Sequence, residues 1–192
     1  MLSSVQAHSL IAFSKAQSIV DVDFEFFDPN PKVDYIALKR LLQQLFHADA
    51  ALFQLHELAD LVLSQPLIGT TIKTDGIESD PLAFLTVLNL HVHKVIILWT
   101  CGSLLTELVQ DHPSVRALVH YLLEKVSPDA AFTSTLQSLL RNEGSHVGLV
   151  IGERVYNMPP QVMPPMYRML QDEISWAVEE ASKMLVWFEH TI

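Results

Sequence analysis

Apolar and polar positions recur along this chain at two different periods, and the changes of period mark its elements. Residues 20–27, VDVDFEFF, alternate. Val22, Phe24 and Phe26 share one face and Asp21, Asp23 and Glu25 the other, the pattern of a half-buried strand. Asp28-Pro29-Asn30-Pro31 stops it, because proline cannot donate to a ladder. The period then lengthens. Asp34 stands where an N-cap belongs, before a helix through Phe46 with Leu38, Leu41, Leu42, Leu45 and Phe46 inward. A second helix covers residues 55–64, with Leu55, Leu58, Leu61 and Val62 inward.

β-branched and aromatic runs predict strands at residues 69–74 and 83–90, joined by the turn Asp75-Gly76-Ile77-Glu78-Ser79-Asp80-Pro81. Pro113 opens the cleanest helix, to Val126, with Val115, Leu118, Val119, Leu122, Leu123 and Val126 at steps of three and four. Asp129 caps the next, with Phe132, Leu136, Leu139 and Leu140 inward. Residues 146–151 read as a buried strand. Residues 157–165, NMPPQVMPP, read as an extended linker, since a residue before proline avoids the α region. A long helix follows over 165–181. This order predicts an α/β domain, a single mixed central sheet flanked by helices.

Charge narrows the choice of partner. Twelve Lys and Arg against 22 Asp and Glu give a net charge of −10. Phosphate neutralisation needs clustered bases, so direct nucleic-acid binding is disfavoured, and a basic protein is the natural complement. The most apolar stretch, residues 95–106, is too short to span a bilayer, and the first residues lack the basic start of a secretory leader. A lone cysteine, Cys101, excludes an intrachain disulfide framework and fits a reducing compartment.

The candidate chemistry is thin. His91 and His93 could share one face of a strand and hold zinc, but a third ligand would have to come from His112, His120 or a remote carboxylate. Cys101, among Leu98, Trp99 and Leu104, reads as an inert thiol rather than a nucleophile. Asp75, Glu78 and Asp80 lack the order of a calcium loop and read as turn residues. Gly144, Gly148 and Gly152 suit a strand packed closely on its neighbour. Met166 and Met169 read as core, although with Met158 and Met163 they could form an adaptable surface. We therefore assign no catalytic residue, metal or cofactor.

Three phrases are more specific: VDVDFEFFDPNPKVDYIALKRLLQQLF (20–46), IGTTIKTDGIESDPLAFLTVLNL (68–90) and ERVYNMPPQVMPPMYRML (153–170). In this order they resemble the BCCIP family, called Bcp in fungi. The resemblance implies a fold similar to GCN5-related N-acetyltransferases without established catalysis. It also implies a nuclear, shuttling protein, a chaperone or export adaptor for a basic client such as a large-subunit ribosomal protein. Other implied roles are a scaffold in cell-cycle and DNA-repair regulation and, by fold analogy alone, an acyl-CoA-dependent acyltransferase.

Three segments depart from the family pattern. Residues 1–19 hold no acid where an acidic lead-in is expected, residues 95–109 look inserted, and residues 183–192 do not resemble the family's continuation into further strands. The expected organisation is thus an atypical extension (1–19), one domain (20–182) and an atypical tail, in an incomplete or mis-spliced member. With the C-terminal strands missing, a sheet edge would be left unpaired. For the partner surface the irregular segments are the natural choice: Thr70, Thr71, Lys73, Asp75, Glu78 and Asp80, with Asn157, Met158, Pro159 and Pro160 in the rigid proline segment.

Overall fold

The computed structural model describes residues 22–65, 67–90, 112–142 and 146–189. The 1–19 extension, the 95–109 segment, His91, His93, Cys101 and Gly144 lie outside the described residues. Four strands, β1 (Glu25–Phe27), β2 (Thr70–Lys73), β3 (Ala83–Asn89) and β4 (Gly148–Arg154), form one sheet in the order β1-β2-β3-β4. Every pairing among them is antiparallel, which corrects the expected mixed sheet. Because β2 to β3 is a hairpin and the other links return over a face, no parallel crossover is required.

Helices α1 (Tyr35–Phe46), α2 (Leu55–Leu63), α3 (Pro113–Val126) and α4 (Ala130–Arg141) build the layer on one face. Their apolar stripes meet Phe84 and Leu88 of β3 and Ile151 of β4 in the larger core, with Leu38, Leu42, Leu58, Val62, Val115 and Leu118 fully interior. Phe46, Phe53 and Tyr121 stack at its margin with centroids 4.1–6.0 Å apart. Helix α5 (Met163–Glu189) packs across β2 and β3 on the other face, where Met158, Val162, Met166 and Leu170 close a second core over Ile72, Ala83, Leu85 and Val87. Phe24 and Phe26 join this second core as the alternation predicts, but Val22, expected on the same face, is 44% exposed, and the strand is confined to Glu25–Phe27.

Asp34 and Lys73 join the first layer to the sheet. Asp34 is the residue before α1, but its carboxylate caps no helix amide. One oxygen accepts from Lys73 Nζ at 2.6 Å and the other from the Asn30 amide at 2.8 Å. Both side chains are 0% exposed. Lys73 Nζ also donates to the Ile77 carbonyl at 2.5 Å and lies 5.9 Å from the Phe27 ring. At the far end of α1, Gln44 Nε2 donates to the Arg154 carbonyl. The helix is thereby tied across the sheet from β2 to β4.

Several expectations need correction. Helix α5 begins at Met163 rather than 165, since amides of a first turn have no intrahelical acceptor and Pro164 and Pro165 forfeit nothing there. It also runs on to Glu189. Strand β4 is shifted to 148–154, and it is an outer strand, not a buried one. Helix α5 covers β2 and β3 but not β4, so Val150 is 48% exposed. Phe132 and Leu139 face outward because, among the described residues, α4 rests on the core through Leu136 and Leu140. Gly148 and Gly152 fill the close-packing role expected of them: a Cβ at Gly152 would stand 2.7 Å from the Phe84 carbonyl and from Leu85 Cδ1.

Asp49 links the turn after α1 to α3, accepting from Tyr121 Oη at 2.9 Å and pairing with Lys125 Nζ at 2.8 Å. The Lys125 hydrogen bond, then that of Tyr121, holds the Asp49 carboxyl below its ordinary value. A depressed carboxyl contributes stability above its unfolded value and loses it as pH falls through the folded one. Asp49→Asn is therefore less stable than wild type at neutral pH, and the gap closes on acidification in urea melts. For the interior pair, Lys73→Met strands a buried carboxylate and costs about 3–5 kcal/mol. Adding Asp34→Leu restores part of that loss, measurable as a coupling in a double-mutant cycle.

Candidate protein-binding rim

The two irregular segments chosen from the sequence meet at one end of the sheet. Ala83 stands opposite Arg154. Beyond that pair the Val155 amide donates to the Leu82 carbonyl at 2.8 Å, bringing the β2–β3 turn beside the β4–α5 turn. Glu25 pairs with Lys73, so the first residues of β1 reach the same end.

The β2–β3 turn is held from inside. Gly76 adopts φ +80°, a conformation other residues rarely take, and its carbonyl accepts from both the amide and the hydroxyl of Ser79. Lys73 grips the Ile77 carbonyl from below. Asp75, Ile77, Glu78 and Asp80 are left exposed. In the second turn Arg154 Nη1 donates to the Met158 carbonyl, the Met158 amide donates to Val155, and the Met158 side chain is buried in the second core. Around that anchor Asn157, Pro159 and Pro160 are exposed, and Tyr156 is 92% exposed.

The ten sequence-chosen residues thus divide. Asp75, Glu78, Asp80, Asn157, Pro159 and Pro160 lie on one surface. Thr70, Thr71, Lys73 and Met158 are interior, which corrects their assignment to a contact surface. The Thr70 hydroxyl donates to Glu173, that of Thr71 to the Phe27 carbonyl, and Lys73 to Asp34. The polar groups of the first three are spent inside the fold, and the Met158 side chain packs in the second core. Sequence reasoning missed Ile77 and Tyr156, because an apolar side chain in a turn carries no sign of being outside. It also read Asp23 and Glu25 only as the wet face of a strand, while the register brings them to the same rim.

The exposed charges on the two turns and at the start of β1 are acidic, while Lys32 before α1 and Lys39 and Arg40 on it are exposed bases. Asp23, Glu25, Asp75, Glu78 and Asp80 are exposed. The bases that the strands bring to this end, Lys73 and Arg154, are both turned inward to protein acceptors. Among the described residues no three His, Cys, Asp or Glu side chains form a group that could hold a metal ion. No helix among them is long and apolar enough to cross a membrane.

An antiparallel sheet between helical layers, ending in an acidic rim set with exposed apolar side chains, defines a class: an α/β domain with a preformed polar surface. The comparisons specify it. The sequence model of the BCCIP family matches residues 19–192, and the chain belongs to that family. It is 46% identical to Protein bcp1 of Aspergillus fumigatus over 86% of this chain and 52% of that protein. With Protein bcp1 of Schizosaccharomyces pombe it shares 44% identity over 84% of this chain and 52% of the relative. The crystal structure of BCP1 from Saccharomyces cerevisiae superposes with a TM-score of 0.61 at 32% identity, covering 89% of this chain and 64% of the other. The chain spans about half the length of the curated relatives it matches. BCCIP is not a known enzyme family.

The two exposures in the second turn separate anchor from surface. Met158→Ala opens a cavity and costs about 2–5 kcal/mol. Tyr156→Ala stays within about 0.5 kcal/mol of wild type. Urea unfolding of the pair checks both.

Proposed function

We propose that this chain is a non-catalytic BCCIP-type factor that binds a basic protein client through the acidic rim. The observation that carries the proposal is the charge of the turns at that end of the sheet: carboxylates exposed on the β2–β3 turn and at the start of β1, with Lys73 buried and paired to Asp34. Such a surface attracts a positive partner at long range and needs no rearrangement of the turns to receive it. Ile77 and Tyr156 add apolar contact, and the tyrosine supplies area at low conformational cost.

The client class that fits is a strongly basic protein such as a large-subunit ribosomal protein. The setting we propose is the nucleus, with shuttling to the cytoplasm, as a chaperone or export adaptor. An acyltransferase would need amides free to hold a cofactor pyrophosphate at a turn before a helix. The β4–α5 turn places Pro159 and Pro160 there and the first turn of α5 adds Pro164 and Pro165, and the Met158 and Val162 amides already donate to protein carbonyls. Calorimetry with acetyl-CoA shows no heat of binding under this proposal.

The direct test is capture of the tagged chain from nuclear extract in a salt series, with mass spectrometry of the eluate. A basic ribosomal protein is retained at low salt and released as salt rises. The variant Asp75→Asn/Glu78→Gln/Asp80→Asn weakens that retention about tenfold at low ionic strength while thermal unfolding is unchanged. Retention equal to wild type sinks the rim as the contact surface.

A further inference from the structure

A second surface lies away from the rim, on the other face of the sheet. Leu67, in the loop between α2 and β2, and Trp176, on α5, form the walls of a shallow groove of about 320 Å³ with Asp172 and Glu173 at its side. Leu67 is 56% and Trp176 46% exposed, so neither is consumed by the second core that α5 closes with Met166 and Leu170. Asp172 and Trp176 are one helical turn apart, which puts them on a common stripe.

The two carboxylates beside the ring differ in their commitments. Glu173 is engaged with the start of β2, accepting from the Gly69 amide at 2.8 Å and from the Thr70 hydroxyl at 3.4 Å. This fixes the helix against the loop that carries Leu67, so the groove is preformed. The Asp172 carboxylate is exposed and makes no hydrogen bond or ion pair among the described residues; the Arg168 guanidinium, one turn earlier, does not reach it. From Met169 to Ser182 the helix holds Asp172, Glu173, Glu179 and Glu180 and no lysine or arginine.

A half-exposed indole, an apolar wall and an uncommitted carboxylate one turn away are the complement of one side chain. Arginine stacks its planar, weakly hydrated guanidinium on an indole while donating to a carboxylate at its edge. We infer that the Leu67–Trp176 groove seats an arginine side chain of a basic polypeptide, stacked on Trp176 and paired with Asp172. The inference shares with the rim proposal only the class of partner, a basic protein, and would give a long basic client two separate points of attachment on one chain. Lysine is a poorer occupant, because its ammonium stays hydrated and presents no plane to the ring.

The test titrates the whole chain with nona-arginine, nona-lysine and an uncharged serine–leucine peptide of the same length. Tryptophan emission is followed in wild type and in Trp176→Phe, the difference reporting position 176. Nona-arginine changes the Trp176 emission, nona-lysine does so more weakly, and the uncharged peptide does not. By calorimetry Trp176→Ala and Asp172→Asn each weaken nona-arginine about three- to fivefold, and Trp176→Phe keeps most of the affinity. Circular dichroism confirms that the variants are folded. Unchanged affinity in both Trp176→Ala and Asp172→Asn overturns the groove, as does equal binding of the uncharged peptide. Loss in the rim variant alone leaves the rim proposal standing without the groove. Loss in the groove variants alone does the reverse.

Discussion

Two fully buried side chains of opposite charge, Lys73 and Asp34, hold the arrangement of this domain together. Bringing an ammonium and a carboxylate out of water is costly, and a buried pair stabilises little beyond what well-packed apolar side chains would give. What the pair imposes is geometry. Lys73 Nζ has acceptors at Asp34 and at the Ile77 carbonyl, and Asp34 has a second donor at the Asn30 amide. Each partner is satisfied in one arrangement of β2, the following turn and the entry to α1. A helix shifted along the sheet, or a strand slipped by one residue, would leave a charge stranded.

The same constraint makes the rim. Since Lys73 holds the Ile77 carbonyl from within, the β2–β3 turn projects its acidic side chains outward and does not fold over the core. Arg154 does the equivalent on β4 by taking the Met158 carbonyl, which lets the methionine anchor inward while Tyr156 and the prolines stand clear. Lys73 in particular is spent as an internal strut, its charge balanced by Asp34. The surface charge is thus a consequence of how the turns are built as well as of composition.

The sequence pattern was most informative where one physical effect dominated. Helix α3 spans Pro113–Val126 as its three- and four-residue spacing and first-turn proline require, and Met166 falls in the core as its helical position implies. Reading failed where two effects compete for one residue. Asp34 does occupy the position before α1, but a buried lysine outbids the helix amides for its carboxylate, and Lys73 in a strand of Thr and Ile gave no sign of being interior. Phe132 and Leu139 satisfy helical spacing, yet the stripe of α4 is wider than the surface available to cover it. The local pattern of β4 is that of a buried strand, and only the strand order shows it at the side of the sheet.

For the candidate surfaces, the limit was long-range register. That residues 75–81 and 157–165 would be irregular follows from Gly76, Pro81 and the prolines at 159, 160, 164 and 165, although helix α5 takes over from Met163. That they share one end follows from the Ala83–Arg154 pairing, which no local signal encodes. Register also explains why Thr70, Thr71 and Lys73 are lost as contacts: they lie in the strand that feeds the turn, so their polar groups are consumed in holding it. Trp176 is a different case. An aromatic at a helical position one turn past Asp172 reads as core until the width of the sheet beneath α5 is known. The helix extends past Ile174, the last of its described side chains packed against the second core, and Trp176 lines a groove with Leu67 of a loop instead of a strand. An aromatic half-exposed at the limit of a core, beside a carboxylate without a side-chain partner among the described residues, is the feature on which the proposed groove rests.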